Sequence, residues 1–141
     1  MKTVNLQSLV GDDGHLVSPV LQRGIKNYLI DIDGTITDDV PNEEPERMSV
    51  VLPYPDAKEI LNQWAAEGHI ITFFTSRTEE HRKITMDWLE KHGFVYNGLL
   101  MCKPRGGNYF IIDNHIIKAA RFQGKWEKMI TKTHEITVFP D

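Results

Sequence analysis

Apolar residues follow two rhythms along this chain, and the changes of rhythm mark its elements. Residues 28–32 form an apolar run with β-branched members that breaks at Gly34, which predicts a buried strand ending in a turn. Residues 70–75 form a second apolar strand, closing on Thr75-Ser76-Arg77. Residues 99–102 and 109–112 read as two more buried strands, and residues 136–139 as a last one at an edge. Between the first two the period lengthens. Pro55 suits a first helical turn and Asp56 suits the positive end of the dipole; Ala57, Ile60, Leu61, Trp64 and Ala65 then follow at helical spacing until Gly68. A second helix is predicted over residues 79–92, with Ile84, Trp88 and Leu89 on one face and Gly93 as its stop. Trp64 and Trp88 belong to the core on this reading, and the pattern gives Trp126 no place.

Alternating apolar strands and helices predict an α/β fold, a parallel sheet covered on both faces. Ligands bind such sheets at the carboxyl ends of the strands. The polar residues that follow each strand are Asp31 and Asp33, Thr75 and Ser76, Lys103, and Asp113 with Asn114. All are expected to converge on one edge. Residues 38–55 carry Pro41, Pro45 and Pro53 among several acids and read as a loop or short flap. Residues 1–25 read as an N-terminal extension, an added hairpin or an oligomer contact, ahead of one domain over residues 26–141.

Composition narrows the setting. With 141 residues, 40% hydrophobic and 26% charged, the chain reads as one soluble globular domain with room for a core. No apolar run approaches a membrane span, and the first residues lack the apolar segment of a signal peptide. The single cysteine, Cys102, excludes an intramolecular disulfide and fits a reducing cytoplasm; its apolar neighbours suggest core packing. A net charge of −4 offers nucleic acid no global attraction. The six histidines show no metal-ligand spacing and read as structural.

The candidate chemistry starts from Asp31 and Asp33. Residues two apart in a strand point the same way, so both carboxylates leave the strand end together. Crowded carboxylates are costly unless a cation sits with them, and a divalent ion with oxygen ligands, Mg2+ above all, is the natural solution. The plain alternative is a polar turn, since Asp, Gly and Thr are all good turn formers.

In order, Asp31-Ile-Asp33-Gly34-Thr35, the strand ending in Thr75-Ser76, Lys103-Pro104 and Ile111-Ile-Asp113-Asn114 resemble the signatures of the haloacid dehalogenase superfamily. Most of its members are Mg2+-dependent phosphatases on a doubly wound, three-layer, Rossmann-like sheet. The resemblance spans roughly residues 25–121 and implies a phosphomonoester hydrolase. Asp31 would be the nucleophile that forms an aspartyl-phosphate, and Asp33 the acid and base that serves the leaving alcohol and then the water. Thr75 and Ser76 would meet the substrate phosphate together with Lys103 and backbone N–H groups near Gly34. Mg2+ would be held by Asp31, the backbone carbonyl of Asp33 and Asp113, with Asn114 beside them. Many relatives carry Asp where this chain has Asn114, which removes one negative charge. No segment is long enough for a lid, so the chain resembles the capless branch, and within it small phosphatases of capsule and polysaccharide biosynthesis. Arg77 and Arg105 read equally as substrate contacts or solvated residues. The expected substrate is a small phosphorylated metabolite such as a sugar phosphate, with a homo-oligomer open. A nucleic-acid end phosphatase and a non-catalytic binding module on the same fold are the alternatives.

Overall fold

The computed structural model describes residues 8–126 and the backbone of residues 134–135. The strand expected at residues 136–139 lies outside them. Strands β1 (Asn27–Ile30), β2 (Ile70–Phe74) and β3 (Gly98–Leu100) form a parallel sheet in the order β1-β2-β3. Helix α1 (Pro45–Met48) and helix α2 (Ala57–Ala66) lie between the first two strands. A 3-10 turn (Glu79–His81) running into helix α3 (Arg82–Lys91) lies between the second and third. The α/β class with a parallel sheet, expected from the periodicity, is the fold observed. No helix among the described residues is long and apolar enough to cross a membrane.

Register decides which strand residues enter the core. Tyr28 pairs with Ile71, and Ile30 with Phe73, which pairs in turn with Leu99. Partners in register share a face, and this one packs on the helices. Ile71, Phe73, Leu61 and Leu89 are fully buried, with Ile30, Trp88, Phe94 and Leu99 nearly so. Tyr28 stacks on Trp64 of α2 at 4.2 Å, while Phe73 meets Phe94 edge to face at 6.0 Å. Each such side chain contributes about 1.5–3 kcal/mol by leaving water. Both connections step the same way across the sheet, and right-handed crossovers then put both helices on one face. The alternate residues are less covered among the described residues: Thr72, Phe74 and Leu100 are half-buried and Leu29 is exposed.

The stretch at residues 38–55 is packed rather than loose. Thr37 bridges Pro53, the Tyr54 N–H donates to Ile36 O at 2.7 Å, and Trp88 Nε1 donates to Val51 O at 2.7 Å. Val40 and Met48 are buried in the process. The early segment makes a small exposed turn, with Val10 bridging Leu16 and the Val17 N–H donating to Leu9 O at 3.0 Å. Trp126 finds a place after all: it is buried against Trp64, and its Nε1 donates to Thr35 O at 2.9 Å.

Two expectations are corrected. Residues 109–112 form no strand; Tyr109, Phe110, Ile111 and Ile112 are all exposed. A short apolar run carries the local signature, but a strand also needs ladder pairing with a neighbour, and among the described residues the parallel sheet ends at β3. The chain instead makes a short strand β4 (Lys118–Ala119) that pairs antiparallel with β5 (His134–Glu135). Cys102 is also exposed, outside the core. It follows the end of β3 in a left-handed conformation, with φ 65°.

Candidate active site

Beyond β1 the chain stays extended through Asp31 and Ile32 to Asp33, then reverses. Ile32 is fully buried and anchors the segment, while its carbonyl accepts from the Thr35 N–H at 3.1 Å and the Ile36 N–H at 2.9 Å. Gly34 makes the reversal possible: its φ of 83° is open to glycine at little cost, and its N–H donates to Thr37 O at 2.7 Å. The ends of β2 and β3 are joined alongside. Thr75 N–H donates to Leu100 O at 2.9 Å, Lys103 N–H to Thr75 O at 2.9 Å, and Cys102 N–H to Arg77 O at 2.8 Å. Those bonds bring Lys103 back to the first strand.

Asp31 is gripped on both oxygens. Lys103 Nζ lies 2.9 Å from Oδ1, and Thr35 Oγ1 donates to Oδ2 at 3.0 Å. A third of the Asp31 side chain stays open to solvent (34%), whereas Lys103 is only 10% exposed. The Lys103 ammonium lies 5.2 Å from the ring centroids of Phe74 and of Tyr109, a favourable setting for a desolvated cation.

Asp33 has a different partner. Arg77 Nη2 donates to Oδ1 at 2.8 Å and Arg77 Nε to Oδ2 at 3.0 Å, a bidentate fork. The third guanidinium nitrogen, Nη1, donates to Thr85 Oγ1 of α3 at 3.0 Å. Arg77 is 1% exposed, so it is neither the solvated residue nor the open substrate contact that its position suggested. The sequence reading missed this pairing.

Thr75 is fully buried, and its hydroxyl accepts the Arg77 N–H at 3.2 Å while lying 3.5 Å from Asp33 Oδ2. Its side chain serves the interior of the site in this structure. Ser76 is fixed from the 38–55 stretch: Asn42 Nδ2 donates to Ser76 O at 3.3 Å, and Asn42 Oδ1 accepts the Thr78 N–H at 3.2 Å. Arg105 is exposed.

The crowded carboxylates are therefore neutralised by protein cations, of which the sequence suggested Lys103 but not Arg77. Each has its own cation, Lys103 for Asp31 and Arg77 for Asp33. The expected metal set does not assemble. Asp113 and Asn114 are exposed in the irregular segment after residue 112, where both contact His115. Hydrogen bonds from the His115 backbone and ring hold the Asp113 carboxyl below its ordinary range. Among the described residues, no group of three or more His, Cys, Asp or Glu side chains is placed to hold a metal ion. The reason follows from the fold: among the described residues the parallel sheet has no strand at 109–112 to carry Asp113 to its edge.

A parallel α/β sheet whose first strand presents an Asp-x-Asp pair, with a lysine from beyond the third strand on the first of them, is an arrangement of the haloacid-dehalogenase-like phosphatase superfamily. Residues 28–133 match the family model described as PITM 1-3, LNS2 domain, and the chain belongs to that family. No curated protein sequence matches it. Among solved structures, it is similar to a structural-genomics target from Vibrio cholerae at 28% identity and a TM-score of 0.46, covering 63% of this chain and 80% of that one. It is also similar to a chain of the Pnkp1/Rnl/Hen1 complex at 21% identity and a TM-score of 0.49. That match covers 68% of this chain and 33% of the other.

Proposed function

We propose that this chain hydrolyses phosphate monoesters, with Asp31 as the nucleophile. The observation that carries the reading is the Asp31 carboxylate itself, held at the sheet edge by Lys103 at 2.9 Å and Thr35 at 3.0 Å yet still a third exposed. A phosphate monoester is an anion, so a carboxylate attacks phosphorus only where positive charge offsets the repulsion. Lys103 supplies that charge from a position sheltered from water, where it counts for more. Asp31 would form an aspartyl-phosphate, and water would then release inorganic phosphate and restore the carboxylate. Asp33 is the group available to give a proton to the leaving alcohol and take one from the water.

A divalent ion such as Mg2+ would supply further positive charge. The described residues offer the Asp31 carboxylate, already paired with Lys103, and the backbone carbonyl of Asp33, with Asp113 and Asn114 elsewhere and no third carboxylate beside the pair. That donor set does not fit the expected site, so no step is assigned to a metal here. The open approach to Asp31 suits a small phosphorylated metabolite, a sugar phosphate being the expected class.

A second reading has its own support: the exposed position of Asp113 and Asn114 favours a module that binds a phosphate without turning it over. One experiment separates the two. Phosphate release is measured from a panel of sugar phosphates and an aryl phosphate, with Mg2+ and with chelator, for wild type and Asp31→Asn. Release by wild type that disappears in Asp31→Asn supports the hydrolase. Tight binding of phosphorylated compounds by folded wild type, with no release, leaves only the binding module.

A further inference from the structure

We infer that Arg77 is a positioning residue that fixes the aim of Asp33 toward the leaving-group oxygen, an inference that rests on the hydrolase reading. The guanidinium is planar and presents its donors in a rigid fork, so two parallel bonds to one carboxylate fix its plane as well as its distance. Both Asp33 oxygens are engaged in this way, at 2.8 and 3.0 Å. Arg77 is itself locked from three sides. Nη1 is tied to the fully buried Thr85 of α3 at 3.0 Å, the Arg77 N–H donates to Thr75 Oγ1 at 3.2 Å, and the Arg77 carbonyl accepts the Cys102 N–H at 2.8 Å. The orientation of Asp33 is thereby referred to the second strand and the third helix rather than to its own loop.

Stability alone is a poor reason for such a residue. A buried ion pair repays its desolvation only with good geometry, and apolar replacements of like volume are often as stable. Asp31 makes the contrast. Its lysine offers a single point contact on Oδ1, and Oδ2 accepts only the neutral Thr35 hydroxyl, on a carboxylate that is a third exposed and so open to phosphorus. Asp33 is 12% exposed and held by a fork, the arrangement suited to a group that moves a proton along one direction.

In the step concerned, the bond from Asp31 oxygen to phosphorus forms as the ester P–O bond breaks. The bonding pair leaves with the alcohol oxygen, which takes a proton from Asp33. Asp33 enters the step as the protonated acid and leaves it as the carboxylate that the Arg77 fork holds. It regains a proton from the water of the second half-reaction. An alkyl alcohol is a poor leaving group and depends on that proton. A nitrophenolate leaves unprotonated. Misdirecting Asp33 should therefore slow alkyl esters far more than aryl esters.

The experiment compares kcat for an alkyl phosphate and for p-nitrophenyl phosphate in wild type, Arg77→Lys, Asp33→Asn and the double variant, with the fold of each checked by circular dichroism. Proton transfer by a positioned group contributes on the order of 10²–10⁴-fold, so Arg77→Lys is expected to lose roughly 10–100-fold on the alkyl ester and only a few-fold on the aryl ester. Adding Arg77→Lys to Asp33→Asn should cost nothing more, because the lysine then has no proton donor to misdirect. Thr85→Val removes only the third anchor; it should show the same selectivity in milder form and carries the test if Arg77→Lys does not fold. Equal losses on both esters, or a further loss in the double variant, would overturn the positioning role while leaving the hydrolase standing. Wild type without turnover on either ester removes the hydrolase reading and this inference with it.

Discussion

Replacing Arg77 by Met removes the charge and the fork while keeping much of the volume, so its effect on stability measures the buried pair. Arg77 is 1% exposed and the Asp33 side chain 12%, with two charge-assisted bonds at 2.8 and 3.0 Å between them. Removing one partner of a buried pair leaves the other charge uncompensated and costs about 3–5 kcal/mol. Asp33 keeps a rim of solvent, a contact to Thr75 at 3.5 Å and one from the Val40 N–H at 3.4 Å, which places the expected loss near the lower end, about 3 kcal/mol. For a domain of this size that is a fall in Tm of about 9 °C. Adding Asp33→Asn discharges the stranded carboxylate and should return most of the loss. Thermal and urea unfolding followed by far-UV circular dichroism reads both. The reasoning fails if Arg77→Met melts within about 2 °C of wild type, or if the double variant is no more stable than the single one.

Lys103→Met should lower kcat by roughly 10²–10³-fold with little change in Tm, since one preorganised charge at the reacting group is worth that much; unchanged steady-state kinetics would remove Lys103 from the chemistry. His92 packs on Trp88 at 4.7 Å between ring centroids, and burial, with the Lys91 charge second, lowers its pKa below 6.5. The unfolded chain then binds more protons than the folded one, so the His92 contribution is present above 6.5 and is lost as pH falls through that value toward the folded pKa. His92→Phe should flatten this part of the stability profile between pH 7.5 and 5.5 (a range of about one unit either side of an ordinary histidine), and a variant as acid-sensitive as wild type would contradict the assignment. Cys102, exposed in the native state, should react with one equivalent of an aromatic disulfide reagent without denaturant, whereas a protected thiol would return it to the core.

How much of this was legible in the sequence varies with how local each feature is. The strand ending in Asp31 and Asp33, the helix that closes at Gly68 and the strand before Thr75 were all readable, because periodicity and breakers act over a few residues. The convergence of Asp31 with Lys103 was readable too, since parallel strands deliver their carboxyl ends to one edge. Arg77 was not: whether a charged residue after a strand faces water or a buried carboxylate depends on what α3 places beneath it, here Thr85. Trp126 was unreadable for the same reason, as its partner Thr35 comes from the far end of the domain.

The sequence by itself determined the α/β class, the first three strand ends that carry polar groups and the order in which they arrive. These follow from local pattern and from the handedness of parallel connections. Tertiary structure alone decided which cation neutralises which carboxylate, that Thr75 turns inward, and that Asp113 and Asn114 stay apart from Asp31. Such outcomes depend on pairing between segments distant in the chain, and residues 109–112 show the point: four apolar residues carry the local signature of a strand, while the parallel sheet among the described residues does not extend to them.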